Sequence, residues 1–141
     1  MEEVVKVTRN MLPKVHMAWI METLEYLRRG GRVSLPKAIL ASWLKVKPIT
    51  AIKEGKVAPL AKTRTKSKAV DKLLEIIASE LTGLSPLHAA VMHGGVPEEA
   101  EQLKQRVANR FNCAEILISG ITPVIGTHTG PGTLGLAYYE E

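Results

Sequence analysis

The residues best equipped for chemistry are one histidine set among glycines and several cations that precede it. In VIGTHTGPGTLG, residues 124 to 135, Thr127 and Thr129 flank His128, and Gly126, Gly130, Gly132 and Gly135 surround Pro131. Glycine permits positive φ and close backbone approach, and proline fixes one φ, so the segment reads as a stiff loop of unusual shape. Successive backbone N–H groups in such a loop form a concave nest for a small anion, with the threonine hydroxyls and the imidazole as further donors. The same letters fit a glycine-rich bend that ends a strand, with His128 a satisfied surface residue. The residues alone leave both readings open.

Two arginines extend the anion-binding theme. Arg32 follows Gly30-Gly31 at a turn between helices, from which a guanidinium can grip a carboxylate or phosphate with two parallel hydrogen bonds. Arg64 sits in AKTRTKSKA with Lys62, Lys66 and Lys68, just before and within a helix start. Cations there oppose the helix dipole, so local stability gains nothing and an anion-facing role gains weight against a solvated charged face. Other chemistries find little support. His16, His88, His93 and His128 show no metal-ligand spacing, Cys113 has no CxxC partner, and neither a Gly-x-Ser-x-Gly elbow nor a P-loop occurs. No metal and no cofactor are expected.

These residues need a scaffold, and the chain length suits one. A chain of 141 residues fits one domain that buries about two thirds of its unfolded surface. Hydrophobic residues at 45% and charged residues at 23% are ordinary globular usage, without an apolar run long enough to span a bilayer. The acidic, amphipathic opening MEEVVKV does not read as a secretory leader, and the lone Cys113 suits a reducing cytoplasm, so a cytoplasmic location is expected. Residues 1 to 70 carry 15 Lys and Arg against 5 Asp and Glu, and residues 71 to 141 carry 4 against 9. The basic half calls for an anionic partner. Nucleic acid is disfavoured, because the cations are spread over several elements with only Trp19, Tyr26 and Trp43 as aromatic company.

The elements follow from periodicity and breakers. Residues 2 to 12 place Val4, Val5, Thr8, Met11 and Leu12 on one helical stripe that Pro13 stops, and this arm, residues 1 to 13, is expected to be loosely attached to a domain over 14 to 141. KVHMAWIM reads as a buried strand, ETLEYLRR as a short helix stopped by Gly30-Gly31, and Ser34 as the cap of a helix carrying Ile39, Leu40, Trp43 and Leu44. Alternation around Glu54-Gly55 gives a hairpin with strands near 48 to 53 and 56 to 60. A helix with Val70, Leu73, Leu74, Ile77 and Leu81 on one face comes next. After it come a strand in PLHAAVMHGG, a helix from Pro97, a strand in AEILISG, the histidine loop and a last strand in TLGLAYY. The expectation is a two-layer α/β fold, a mixed sheet of about six strands with helices packed on it.

Three separated segments, LEYLRRGGRVS, KPITAIKEGKVAPLAKTRTKSKA and above all TPVIGTHTGPGTLGLAYY, resemble the C-terminal domain of DegV-family fatty-acid-binding proteins, in order, from about Lys14 to Tyr139. The resemblance implies a binding protein, not an enzyme, that carries a long-chain fatty acid and presents its carboxylate to a separate fatty-acid kinase. Carried over by motif, Arg32 and Arg64 would stabilise the carboxylate and then the phosphate, and His128, with Thr127, Thr129 and Gly130 around it, would hydrogen-bond the head group. Full-length members add an N-terminal domain whose glycine- and serine-rich loop also holds the carboxylate, and these 141 residues contain no such loop. The missing half, or a second copy, is therefore an expected partner. The apolar tract 38 to 46 reads either as tail-cavity lining or as plain helix core. Two further readings stay open: a structural or dimerising domain, and a small enzyme on an anionic substrate with His128 as acid or base.

Overall fold

The computed structural model describes residues 1–33, 43 and 45–141. The helix expected behind Ser34 falls on residues outside this set, apart from Trp43. Among the described residues the chain runs α1 (Glu2–Met11), β1 (His16–Ile20), α2 (Glu25–Arg29), β2 (Lys47–Lys53), β3 (Lys56–Thr63), α3 (Lys66–Glu80), β4 (Leu87–His93), α4 (Pro97–Arg110), β5 (Cys113–Gly120), α5 (Pro123–Thr129) and β6 (Leu134–Glu140).

The six strands form one mixed sheet in the order β3-β2-β1-β6-β4-β5. Only β4 and β5 run parallel, as a β–α–β crossover through α4 requires, and every other neighbouring pair is antiparallel. Strand alternation sends side chains to two faces. Ala18 and Ile20 of β1, Ile49 of β2, Leu87 and Val91 of β4, and Leu134 and Leu136 of β6 pack with Leu73, Leu74 and Ile77 of α3 and Leu103 and Val107 of α4. Each fully buried Leu, Ile or Val in this layer contributes about 1.5–3 kcal/mol. Trp19 and Met21 point to the opposite face and join Leu24 and Leu27 in a smaller cluster, with Met17, Val33, Trp43, Val57, Met92 and Ile121 packed against it. Trp19 can lie flat there because its β6 partner is Gly135, where a Cβ would stand 2.4 Å from the indole.

Two elements have clear local causes. Thr65 caps α3 by accepting from the Lys68 N–H, and Pro97 with Glu98 and Glu99 opens α4. β3 continues three residues beyond the expected stop at residue 60, straight through Pro59, because it is the edge strand and a missing N–H there breaks no ladder; the ladder with β2 shifts by a bulge at Ile49/Thr50. α1 has no buried residue, and Val4, Val5, Val7 and Leu12 are exposed.

Candidate functional site

One rim of the sheet gathers the expected functional segments. Ile20 pairs with Ile49 and Leu134, His93 with Leu134 and Gly120, and Lys47 with Thr63. These registers bring the ends of β1, β3, β4 and β5 and the starts of β2 and β6 to the same side. Glu22, the β3–α3 turn with Arg64, Gly94-Gly95, and both ends of α5 therefore share that rim.

His128 is not on a loop. The segment expected as an anion nest forms α5, with Pro123 in its first turn, where no N–H is needed, and with the Gly126 and Gly130 N–H groups donating to Thr122 O and Gly126 O. The N–H of Gly132 donates to Gly94 O. The glycine N–H groups that a nest would present are thus already spent. Gly130 (φ 81) and Gly132 (φ 76) take left-handed backbone just past the helix, which is where their freedom is used. Thr127 is exposed and donates to Val124 O at 2.8 Å, while Thr129 is buried and donates to Ile125 O at 3.1 Å. The buried Thr133 hydroxyl lies 2.9 Å from both Thr129 O and Gly130 O, closing the helix end. Thr129 and Gly130 thus make their contacts within the helix end and to Tyr26, and Thr127 is the threonine left at the surface.

α2 holds α5 in place through two glycine contacts. A Cβ on Gly130 would meet the Tyr26 ring at 2.4 Å, and a Cβ on Gly30 would meet His128 Nδ1 at 2.2 Å. His128 is half-buried, and its Nδ1 is sealed from solvent without a hydrogen-bond partner among the described residues. The exposed Arg32 side chain donates from Nη1 to Gly30 O at 3.2 Å. Arg32 and His128 thus both border Gly30, Arg32 at its carbonyl oxygen and His128 where a Cβ would stand. Arg32 also lines a cavity of about 560 Å³ with Leu24, Val33, Thr50, Lys56 and Val57. That volume falls in the about 300–1,000 Å³ range of small-molecule sites.

A charge network behind the rim went unread in the sequence. Lys66, only 17% exposed, donates to Gly132 O at 2.5 Å and pairs with Glu99 at 2.7 Å and Glu22 at 3.4 Å, and Glu22 also binds Lys47. Burial alone would raise the Glu22 pKa, but hydrogen bonds and charge from Lys47 and Lys66 outweigh it and hold the carboxyl below 4.5. Lys66 ties the start of α3 to the turn that follows α5. The sequence signal was a cation at a helix start, where the dipole disfavours it; the partners Glu22, Lys47 and Glu99 gave none. Arg64, two residues earlier, is exposed on the turn that Lys66 anchors. No group of three or more His, Cys, Asp or Glu among the described residues is arranged to hold a metal ion.

The family described as "Uncharacterised protein, DegV family" matches this sequence over residues 1–141. The chain belongs to the DegV family. A DegV domain-containing protein of Streptomyces coelicolor is 43% identical over 117 residues, 82% of this chain and 41% of the relative. One from Clostridium acetobutylicum is 34% identical over 141 residues, 100% of this chain and 49% of the relative. The chain spans about half the length of the curated DegV relatives it matches. A solved fatty-acid-binding DegV family protein from Thermus thermophilus aligns with a TM-score of 0.90 at 30% identity, covering 100% of this chain and 51% of that one. DegV of Bacillus subtilis, a fatty acid binding protein, aligns with a TM-score of 0.82 at 32% identity, covering 99% and 50%. The six-stranded mixed sheet with its helices is thus the DegV architecture over about half of a full-length member. No helix among the described residues is long and apolar enough to cross a membrane.

Proposed function

We propose that this DegV-family chain binds a long-chain fatty acid as one half of a two-part site and offers the carboxylate to a separate kinase, which converts it to an acyl phosphate. The observation that carries the reading is that Arg32 and His128 both border Gly30, and that Arg32 lines a cavity whose apolar wall includes Leu24, Val33, Val57 and Pro59. A guanidinium and an imidazole suit a carboxylate, and the apolar wall suits its tail. Two fatty-acid-binding relatives of known structure, at 30% and 32% identity, support the ligand class.

In this reading Arg32 grips the carboxylate, His128 hydrogen-bonds it, Thr127 swings its hydroxyl from Val124 O to the ligand at the α5 surface, and Arg64 faces the incoming phosphate from the β3–α3 turn. The chain makes and breaks no bond itself and needs no cofactor; it works in the cytoplasm beside the kinase. Residues 14 to 141 form the binding domain, and the arm 1 to 13 offers its exposed stripe to the complementary half, supplied by a longer DegV polypeptide or a second copy. Coverage of about half of each relative supports that division.

Native mass spectrometry of the chain mixed with the complementary half of a DegV protein tests this reading. The expected result is a retained mass equal to a long-chain fatty acid. Arg32→Ala and His128→Ala should each abolish phosphorylation of that acid by the kinase, and wild-type turnover in both variants rejects the role assignments. A ligand-free dimerising domain is the second reading, favoured by the exposed Val4 and Leu12 of α1. A strict monomer in size-exclusion chromatography speaks against it.

A further inference from the structure

The cavity beside Arg32 contains a polar side chain that no group among the described residues satisfies. Thr50 lines it, is only 2% exposed, and has its Oγ1 buried without a hydrogen-bond partner among the described residues. On β2 it stands opposite Trp19 of β1 and Pro59 of β3, so its side chain lies on the face of the sheet that carries the smaller cluster. A buried hydroxyl left unpaired is destabilising, and valine would fill the same volume without that cost. In the rotamer observed, Oγ1 is out of solvent reach. A turn about χ1 between staggered positions is the motion that would aim Oγ1 into the cavity its side chain already lines.

We propose that the Thr50 hydroxyl hydrogen-bonds an oxygen atom of the ligand inside this cavity and so helps select what binds. The inference rests on the cavity being the acyl site proposed above. Two oxygens have the right chemistry. One is the carboxylate itself, which Thr50 would share with Arg32, a residue that lines the same cavity. The other is a hydroxyl or carbonyl oxygen partway along the acyl chain, since a site built around a hydrogen bond discriminates against a ligand lacking the partner.

The test compares wild type with Thr50→Val, both with the complementary DegV half, in titrations with stearic acid and with a hydroxystearic acid carrying its hydroxyl at mid-chain. A carboxylate partner predicts that the variant binds both acids about tenfold or more weakly, as for a hydrogen bond to a charged group. A mid-chain partner predicts that the variant loses about five- to tenfold for the hydroxy acid alone, and that wild type prefers it by a similar factor. Equal affinity of variant and wild type for both acids overturns the proposal. So does a lower melting temperature of ligand-free Thr50→Val, which would make Oγ1 a structural group; the expected result is an unchanged or higher one. Should wild type bind neither acid, the fatty-acid reading falls and this inference with it, a result distinct from equal binding.

Discussion

The imidazole of His128 lies directly on Gly30, where a Cβ would stand 2.2 Å from Nδ1 and 2.8 Å from Cε1. Gly30 has φ −74, which any residue adopts, so glycine serves here to leave space rather than to permit a turn. Gly30→Ala should push the His128 ring and α5 outward and destabilise the fold by about 1–3 kcal/mol, the usual cost of overpacking. Gly31→Ala is the matched control. Its φ of +66 makes alanine strained by about 1–2 kcal/mol, but nothing among the described residues lies within 4 Å of the added methyl. Urea denaturation should therefore register both variants, whereas the His128 Cε1 proton resonance should move only in Gly30→Ala. An unmoved resonance there would show that the contact does not fix the ring.

The hairpin tip offers a gain in stability. Glu54 (φ 51) and Gly55 (φ 73) both carry positive φ, the pattern of a two-residue turn that favours Asn-Gly. Glutamate is a poor tenant of left-handed backbone, and asparagine tolerates it. Glu54→Asn should raise stability by about 0.5–1 kcal/mol, read as a higher denaturant midpoint at unchanged slope. A lower midpoint would mean that the Glu54 carboxylate itself holds the turn.

Local rules reached most of this fold and little of its site. The alternation of Ala18 and Ile20 against Trp19 and Met21, the Glu54-Gly55 turn, and the apolar stripe of Leu73, Leu74 and Ile77 each encode their element within a few residues. α5 escaped because Gly126, Thr127 and Thr129 are poor helix formers in a seven-residue helix with Gly130 just past it, and the helix is fixed from outside by Tyr26 and Gly30. Arg32 and His128 could be singled out by type, but that both border Gly30 shows only in the fold. Glu22, Lys47, Lys66 and Glu99 are distant in sequence and meet only through strand register, which no local pattern reveals.

That charge network gives the site an acid limit. Glu22 has a folded pKa below its ordinary 4.5, so its contribution to stability is fully present above that value and is lost as pH falls through the folded pKa. Protonating Glu22 weakens its hold on Lys47 and Lys66, and Lys66 in turn steadies Gly132 beyond α5. Thermal melts recorded on the acid side of 4.5 should fall more steeply with decreasing pH for wild type than for Glu22→Gln. Parallel acid limbs would remove Glu22 from the account.

His88 should act on the alkaline side, with the opposite sign. It stacks on Tyr139 at 4.7 Å, and its two ring nitrogens each lie 2.9 Å from a carboxylate oxygen, of Glu115 on β5 and of Glu141 at the chain end. Both carboxylates, Glu115 most strongly, raise the imidazole above its ordinary 6.5. A raised pKa means that the stabilisation is fully present below 6.5 and disappears as pH climbs through the folded value. What is lost there is the ionic tie between edge strand β5, β4 and the end of β6. Wild type should therefore lose melting temperature on going from about pH 6 to about pH 8, the range in which histidine changes charge, and His88→Gln should be flatter across it. Hydrogen exchange adds a local readout: amides of β5 should open faster at the higher pH in wild type, while in the variant the same amides should show one stability throughout, after correction for the intrinsic pH dependence of exchange. If wild-type and variant profiles run parallel, the two carboxylates do not grip the protonated ring.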